Sequence, residues 1–493
     1  TGVQTCALPI SSQTYNFLDL NNELFFVFLG TDFLTLKNIV LNETNGNNLI
    51  EYGVLLINAL PNDGCNFNTL QGITVNLNRT NINSTGIKQS TQFVTLLNDS
   101  GLNTNNTYKD LIIKNCYYGI DLLASSGFPD SSNSVTSSAC TTYNYIGDVS
   151  SDDIGNGIYP TYGISATFQR KLKINNCVIR NITSTGESSN VNAIVVKHPS
   201  TATYSTGNIE IYNNKIQSIG NKNSSVNSTA LVTGINVNVT QNNSSVARIY
   251  NNTISDLQNA TAYSSSDCFV VAILAQSDSN ALGSTHYYEN NSVSLNVNNT
   301  SISNTCFEIG YHNSSVFIVR NNSFANFTGS QSGNAKHFCW VTTGQFSYGS
   351  AGSVSDYNNL YIHNYNNGFT GTGKLGDRVT LADWRNLIGG PGPDDNSVAN
   401  NPNYVNAVSD LHAGSTFMNG SGTTPSAWIT TDADCNARST PNDIGAFNIN
   451  TCGGKPTAGT ASANPSTVCY NKSVALSLVN NSAGNGITRS EEH

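Results

Sequence analysis

Short strand-like segments alternate with polar turns along most of the chain. Within each segment apolar residues, mainly Ile and Val, occupy every second position, and Asn, Gly and Ser separate the segments. A period of two is the spacing of side chains that share one face of a β-strand, whereas an amphipathic helix needs apolar spacings of three and four. The pattern therefore predicts an all-β protein made of many short strands.

One segment recurs with the pattern apolar-x-apolar-x-Asn-Asn-x-apolar. With the second Asn as the anchor, its copies lie at Asn176, Asn214, Asn252, Asn291, Asn322 and Asn359. They are about 31 to 39 residues apart, and a period of this size is typical of an array of stacked units. Asn tolerates the left-handed backbone of sharp corners, and its amide can bond to the same amide one unit away. We expect these residues to form a structural ladder.

A second repeat interleaves with the first and consists of a small residue followed by an aliphatic one. Its copies are Gly53-Val54, Gly86-Ile87, Gly119-Ile120, Gly163-Ile164, Ala193-Ile194, Gly234-Ile235 and Ala272-Ile273. Each repeat thus carries two strands, and successive copies can stack in parallel with their aliphatics buried in columns. This predicts a parallel β-helix, in which a long chain needs no single globular core.

Composition supports strands and excludes several classes of protein. Charged residues make up 11% of the 493 residues, there is one Met, and 38% are hydrophobic, so long exposed helices and disorder are both disfavoured. The net charge of −9 and the lack of a basic run predict no positively charged surface for nucleic acid. The apolar stretch at 24–30 is too short to span a bilayer. We expect neither a nucleic-acid partner nor a membrane span.

Over about residues 15–450 the chain resembles the right-handed parallel β-helix repeat proteins that bacteria secrete. The most specific stretches are Tyr357-Asn-Asn-Leu-Tyr361, Leu381-Ala-Asp-Trp384, Asn401-Pro-Asn-Tyr404, Asp432-Ala-Asp-Cys-Asn-Ala-Arg438 and Asp443-Ile-Gly-Ala-Phe447, which look like that family's closing segments. Cys435 stands where the family usually has Gly, which puts the tight turn there in doubt. The resemblance implies a right-handed solenoid and a secreted or cell-surface protein, with the export signal outside this fragment.

The predicted organisation has five parts. Residues 15–375 form the β-helix and 376–452 its C-terminal capping segment, while 453–488 resemble the start of an immunoglobulin-like module that is cut short, giving a partial β-sandwich. Residues 1–14 are interpreted as a non-native or disordered leader and 489–493 as a non-native tail, because both ends resemble translated sequencing-adapter read-through.

Outward positions of the second repeat indicate where chemistry could lie. One residue past each aliphatic the series is Leu55, Lys88, Asp121, Ser165, Val195, Asn236, Leu274 and Gly310, which holds no cluster of carboxylates. Three residues past it the series is Ile57, Ser90, Leu123, Thr167, Lys197, Asn238, Gln276 and His312, which is polar in its later half. Such a stripe is more typical of a sugar-binding surface than of a catalytic one.

The catalytic candidates are Lys197 with His198, Glu308 with His312, and Lys336 with His337. Tyr311, His337 and Trp340 are candidates for binding carbohydrate, because saccharide sites combine aromatic rings with a few placed polar groups. The alternative interpretation is that these ionisable residues are solvent-exposed side chains with no catalytic or binding role.

Asp432, Asp434 and Asn436 alternate as in a Ca²⁺ loop, and Asp443 could complete the set. These residues are therefore candidates for binding Ca²⁺. No bidentate acid follows at the expected spacing, so the alternative is that the carboxylates accept turn hydrogen bonds.

The 11 cysteines fit no zinc pattern, since no Cys-x-x-Cys occurs. In an exported protein, Cys268 with Cys306 and Cys435 with Cys452 could form disulfides. Cys116 and Cys177 follow their Asn residues at matching positions, which predicts buried and stacked fillers.

Two functions remain open. The first is an extracellular or cell-surface scaffold for adhesion or glycan binding without catalysis, whose partner would be an extracellular polysaccharide or the surface of a host or neighbouring cell. The second is a polysaccharide lyase or glycoside hydrolase acting in a groove along one sheet, as the resemblance to carbohydrate-cleaving β-helix proteins implies.

Overall fold

A computed structural model gives the fold. It describes residues 23–43, 49–91, 94–147, 154–198, 207–225, 228–239, 245–261, 267–276, 284–299, 301–310, 315–329, 333–342, 352–373, 376–386, 394–449, 460–464 and 475–479. The chain divides into two compact units, 1–449 and 450–493. The predicted leader at 1–14 and tail at 489–493 lie outside the described residues.

The first unit is a parallel β-helix with three long sheets, which the chain visits in turn in each coil. The first sheet contains Glu23–Leu29, Ile50–Ile57, Thr85–Ser90, Tyr118–Leu123, Thr161–Thr167, Val191–His198, Val232–Val239, Cys268–Gln276, Ser303–Ile309, His337–Thr342 and Gly368–Gly373, with Gly376–Arg378 added antiparallel. The second contains Thr35–Lys37, Thr69–Gln71, Thr107–Lys109, Ser134–Thr136, Lys173–Asn175, Asn208–Tyr212, Val246–Tyr250, Thr285–Glu289, Val316–Arg320 and Val354–Asp356.

The third sheet contains Val40–Asn42, Thr74–Asn76, Ile112–Lys114, Asn144–Ile146, Cys177–Ser184, Lys215–Asn221, Thr253–Ser255, Ser292–Leu295, Ser323–Asn326 and Asn359–Ile362, with Ile154–Gly155 and Leu257–Asn259 paired beside it. Minor elements are the strand pairs Asp130–Ser131 with Gln169–Arg170 and Tyr404–Asn406 with Asp410–Ala413, the 3₁₀ turn Asp99–Gly101 and the helix Leu381–Arg385. The predicted fold class, an all-β right-handed parallel β-helix, is confirmed.

The aliphatic residues of the second repeat stack in one buried column of the first sheet. Ile194 pairs with Ile235, and Ile235 pairs with Ile273. The column continues through Phe307 and Trp340, all of them fully buried. The preceding residue is small because it also faces the interior: a Cβ at Gly163 would lie 2.7 Å from side chains of the third sheet.

The asparagine ladder forms at the corner between the second and third sheets. Its members are Asn214, Asn252, Asn291, Asn322 and Asn358, and each of the first four donates from Nδ2 to the Oδ1 of the next at 3.0 Å. The residue before each member has a left-handed backbone, as at Asn213 and Asn251. Two predicted anchors were wrong by one residue, because Asn176 aligns with Asn213 and Asn359 lies one residue past the ladder.

The C-terminal part of the first unit closes the end of the solenoid and then runs back along it. Trp384, on the capped helix Leu381–Arg385, is fully buried with its ring centroid 6.0 Å from that of Trp340. Residues 394–449, here called the return segment, then lie along the third sheet: Tyr404 Oη is 2.8 Å from Ser323 Oγ, and the backbone N–H of Ala446 donates to Ser292 Oγ at 2.9 Å. The segment therefore covers the side of several coils.

A disulfide joins Cys140 to Cys435 and so ties the return segment to an early coil. The predicted pairing of Cys435 with Cys452 was therefore wrong; Cys452 lies outside the described residues. Cys268 and Cys306 are free thiols, so that pairing was wrong too.

The two predicted buried fillers, Cys116 and Cys177, are both fully buried and free. They do not stack on each other, because Cys177 pairs with Asn144, and the backbone N–H of Leu111 donates to Oδ1 of that asparagine. Cys116 lies beyond the end of its third-sheet strand.

In the second unit the described residues form one antiparallel pair, Thr460–Asn464 with Ala475–Val479. The immunoglobulin-like module and partial β-sandwich at 453–488 stay a prediction. Within the part of the chain that the structure describes, no helix is long and apolar enough to cross a bilayer.

Candidate functional site

The outer face of the third sheet is bent into a groove. Asn181, Ser218 and Asp256 lie at equivalent positions in three successive coils and share a left-handed backbone, with φ of 54°, 56° and 51°. The kink is therefore repeated from coil to coil along the third sheet. The resulting cavity of about 800 Å³, here called the polar groove, is lined by Asn181, Thr183, Ser218, Ile219, Gly220, Asn221, Lys222, Asp256, Gln258, Asn259, Ala260, Thr261, Asn298, Asn299 and Ser301.

Amide and hydroxyl side chains hold the polar groove in shape. Ser218 Oγ donates to Asp256 Oδ2 at 2.8 Å, and Gln258 bridges to the next coil through the carbonyl of Asn296 at 2.9 Å. Asn221 donates to backbone carbonyls beneath the groove. These hydrogen bonds hold the floor in place, and the exposed Asn298 also lines the groove.

A second cavity of about 390 Å³ lies between the third sheet and the return segment. It is lined by Tyr143, Tyr145, Val178, Arg180, Lys215, Ile216, Gln217, Thr253, Ser255, Ser409, Asp410, Leu411, His412 and Phe447. We call it the tyrosine cavity. Arg180 and Gln217 immediately precede Asn181 and Ser218 of the polar groove, so neighbouring residues of the same strands line the two cavities.

Aromatic rings and cations meet in the tyrosine cavity. Tyr145, 37% exposed, shares an outward column of the third sheet with Val178 and Lys215. The guanidinium carbon of Arg180 lies 5.8 Å from the centroid of the Tyr145 ring, and Lys215 Nζ lies 5.2 Å from that of Tyr143. Each ring therefore has a cation beside it, an arrangement that favours both the ring and the charge.

On the opposite wall His412 is held between two carboxylates. Its Nε2 lies 2.7 Å from Asp434 Oδ2, its Nδ1 contacts Asp410 Oδ1, and its ring stacks on Phe447 with centroids 3.8 Å apart. The hydrogen bond to Asp434 is the main cause that raises the pKa of His412 to about 8, with Asp410 adding to it. At pH 7 the imidazole is therefore mostly protonated, and both its N–H groups donate to carboxylates.

A separate pocket of about 400 Å³ opens on the outer face of the first sheet. Asp267, Glu308, Lys336 and Asp377 line it together with Phe338 and other residues. We call it the Glu308 pocket. Burial, and secondarily the negative charge of Asp267, raise the pKa of Glu308 to about 7, and Lys336 forms an ion pair with Asp377.

The predicted catalytic residues are only partly brought together. Glu308 and Lys336 share the Glu308 pocket, whereas His312 lies outside the described residues. Lys197 is exposed three strands away along the first sheet, about 14 Å at the usual strand spacing. His198 is 1% exposed, and burial lowers its pKa to about 4.

The predicted carbohydrate-binding residues are not at the surface where the structure describes them. Trp340 is 0% exposed because it belongs to the inner column, where its ring packs against Phe307, and this prediction was wrong. His337 is also 0% exposed, and its Nε2 lies 2.5 Å from the carbonyl oxygen of Asn364, so it too is inaccessible to a sugar. Tyr311 lies outside the described residues.

The acidic residues proposed for Ca²⁺ are engaged in turns. Asp432 accepts from the backbone N–H groups of Asp434, Asn436 and Asn448.

Asp443 likewise accepts from the backbone N–H groups of Gly420 and Ile449. Carboxylate oxygens occupied by N–H donors do not fit a Ca²⁺ ligand set, and among the described residues no group of three or more His, Cys, Asp or Glu is placed to hold a metal ion. Hydrogen bonding in turns is the alternative that the sequence left open.

Sequence reasoning missed the residues of the tyrosine cavity. Tyr143 and Tyr145 lie on the third-sheet strand Asn144–Ile146 and its flank, outside both repeats that were aligned. The available signal was the spacing of two tyrosines around a single Asn. His412 could not be placed because the return segment has no periodicity.

Comparison with known proteins adds no family assignment. The chain matches no family model and no curated protein sequence. What the protein does must therefore be inferred from the polar groove, the tyrosine cavity and the Glu308 pocket.

Proposed function

We propose that this protein is an extracellular or cell-surface β-helix scaffold that binds glycans, without catalysis, in the polar groove and the adjoining tyrosine cavity. The observation that carries the proposal is the junction of a groove of about 800 Å³, lined by amide and hydroxyl groups, with a cavity that presents tyrosine rings. A partner of this kind is a polysaccharide in the surroundings or on a host or neighbouring cell.

The chemistry of the two cavities suits a sugar chain. Aromatic rings stack on the apolar faces of sugar rings, and placed polar groups bond to the hydroxyls. The groove crosses successive coils at Asn181, Ser218 and Asp256, about 4.8 Å apart, so it offers the same surface repeatedly along its length. Such repetition favours an extended ligand over a compact one.

The proposal is tested on a glycan library with the whole chain, followed by calorimetry on each ligand found. Tyr145→Ala should weaken binding about tenfold, since loss of one stacked ring costs about 1.4 kcal/mol. Tyr365→Ala is the matched control, because Tyr365 is 49% exposed and lines neither cavity. Unchanged affinity in Tyr145→Ala, or release of cleaved sugar by the wild type, contradicts the proposal.

The Glu308 pocket favours a second candidate function, cleavage of a polysaccharide. A carboxyl whose pKa is about 7 is protonated in half of the molecules at neutral pH and can act as a general acid. Asp267 and Asp377 supply further carboxylates in the same pocket. Glycoside hydrolysis needs one acid and one carboxylate on either side of the scissile bond.

This second function is tested by assaying new reducing ends and new unsaturated ends after incubation with a polysaccharide library. If the pocket is catalytic, Glu308→Gln should reduce turnover at least a hundredfold. Lys197→Gln, on the same sheet but three strands away, should leave turnover unchanged. A wild type that binds a glycan and releases nothing excludes the enzyme and favours the scaffold.

A further inference from the structure

We propose that the first sheet carries a second, separate glycan-binding site, which takes a single sugar ring beside Tyr118. The site is a cavity of about 350 Å³, here called the Tyr118 slot, lined by Glu51, Tyr52, Asn83, Thr85, Lys88, Tyr118 and Tyr162. It shares no lining residue with the polar groove, the tyrosine cavity or the Glu308 pocket. The inference therefore goes beyond the proposed function and does not depend on it.

A column of tyrosines on this sheet is interrupted at one position. Tyr52 pairs with Thr85, and Thr85 pairs with Tyr118 in the next coil. Tyr162 occupies the equivalent position one coil further on. Tyr52 and Tyr118 are thus two strand spacings apart, about 9.6 Å, and the residue between them has no ring. The interruption coincides with the cavity, because Thr85 and both tyrosines beside it line the Tyr118 slot.

The ring of Tyr118 is held in place by its neighbours. It stacks on Tyr162 with ring centroids 4.7 Å apart, and Tyr117 packs against it at 72°. Asp121 forms a hydrogen bond with the hydroxyl of Tyr162 and so helps to fix the second ring. A ring that is ordered before binding loses little side-chain entropy when a ligand packs on it.

The interruption over Thr85 leaves room for one further ring. Tyr118 and Tyr162 show that rings one strand spacing apart on this sheet lie 4.7 Å from each other. A ligand ring above Thr85 would lie at a similar distance from Tyr118, within the range of about 4.5 to 7 Å at which ring faces attract. The cavity is near the lower end of the usual size of ligand sites, about 300 to 1,000 Å³. This favours a single sugar unit over an extended chain.

Polar groups surround the ring position, which favours a sugar over an apolar ring. Lys88 Nζ donates to Asp121 Oδ2 at 3.0 Å. An ammonium has three N–H groups, so Lys88 can donate to a ligand hydroxyl while it stays paired with Asp121. Asn83 Nδ2 donates to Glu51 Oε1 at 3.2 Å, and Thr85 Oγ1 donates to the carbonyl of Asn83 at 3.3 Å. An aromatic face with polar groups at its rim is the combination that a sugar ring requires.

The experiment is calorimetry on the whole chain with methyl glucoside, methyl galactoside and methyl mannoside, and with phenol as a flat ring that has a single hydroxyl. We expect at least one glycoside to bind and phenol to bind more weakly than that glycoside. If phenol binds more tightly than every glycoside, the assignment to sugars is wrong. If none of the four binds, the Tyr118 slot is not a binding site.

Thr85→Tyr tests the interruption itself, because it places a ring where the column lacks one. The introduced ring can stack on Tyr118, so the variant should stay folded and its melting temperature should not fall. The number of glycoside sites per chain should nevertheless fall by one. Tyr118→Ala should weaken binding at this site about tenfold, since loss of one stacked ring costs about 1.4 kcal/mol.

Tyr365→Ala is the matched control, because Tyr365 is 49% exposed and lines none of the four cavities. Thermal unfolding of each variant confirms that it is folded.

The inference and the proposed function fail in different ways. If Thr85→Tyr and Tyr118→Ala change neither the number of sites nor any affinity, the Tyr118 slot binds no sugar, and the proposal for the tyrosine cavity is untouched. If Thr85→Tyr removes a site while Tyr145→Ala changes no binding, the slot stands and the tyrosine cavity falls.

Discussion

At the scale of single residues, asparagine amides connect the coils. Asn252 Oδ1 accepts from the backbone N–H and the side-chain amide of Asn214, and its Nδ2 donates to the carbonyl of Ile211 and to Asn291 Oδ1. All these groups are buried, and the amide satisfies polar groups in three coils at once.

Asn252→Ala should therefore lower the free energy of unfolding by about 3 kcal/mol, since it leaves several buried partners unsatisfied. The measurement is urea denaturation followed by circular dichroism. Asn366→Ala is the control: Asn366 is exposed, and its loss should cost less than about 0.5 kcal/mol. Equal effects of the two substitutions would show that the ladder does not join the coils.

The contacts of His412 with Asp410 and Asp434 make a pH-dependent contribution to the free energy of unfolding. The pKa of His412, about 8, lies above the ordinary 6.5. This stabilisation is therefore complete below pH 6.5 and is lost as the pH rises through 8. Asp410, Asp434 and Lys215 are the charged groups around it. Because the His412 side chain is 38% exposed and solvent screens the pair, the gain is at most about 1 kcal/mol.

Titration of His412 by NMR should give a pKa near 8 in the wild type. In Asp434→Asn the value should fall toward 6.5, because the main hydrogen-bond partner has lost its charge. A wild-type pKa of 6.5 or below would mean that the two carboxylates do not hold the ring.

At the scale of elements, the register of the first sheet explains which predictions succeeded. The repeat of a small residue followed by an aliphatic one correctly predicted the inner column from Val54 to Ile273, because Gly or Ala before Ile or Val is easily recognised. The next two coils carry Cys306-Phe307 and Cys339-Trp340 in the same column. A cysteine before an aromatic does not match the pattern.

Because the sequence pattern missed these two coils, the outward positions predicted for them were misaligned. The outward position that follows Leu274 in the next coil was taken as Gly310, but Leu274 pairs with Glu308. Trp340 was accordingly placed outside when it lies inside. The path of the return segment could not be predicted, because long-range contacts such as Arg248 over Trp428 leave no local pattern in the sequence.

The disulfide should determine whether the return segment stays on the sheet. The double variant Cys140→Ser/Cys435→Ser should lower the free energy of unfolding by about 2 to 5 kcal/mol, the usual range for a native disulfide. Amide hydrogen exchange should rise selectively in residues 404–449. Wild type treated with reductant is the control and should behave alike; unchanged exchange in the variant would show that noncovalent contacts suffice.

At the scale of the whole molecule, coil stacking replaces a globular core. Each coil contacts its neighbours, so buried columns such as Ile194, Ile235 and Ile273 run the length of the solenoid. Outward side chains of successive coils then lie side by side, and the polar groove is lined by residues of several coils in this way.

Cross-linking tests this stacking. Lys197 and Asn238 are paired across adjacent strands, so their Cα atoms lie about 4.8 Å apart, within disulfide range. Lys197→Cys/Asn238→Cys should form an intramolecular disulfide on oxidation. Lys197→Cys/Gln276→Cys spans two strands, about 10 Å, and should form none; the opposite result would overturn the register.

A crystal structure of the whole chain with the best-bound glycan tests the central claim most directly. The sugar should stack on Tyr145 in the tyrosine cavity. A glycan found in the Glu308 pocket, with the tyrosine cavity empty, would contradict the account.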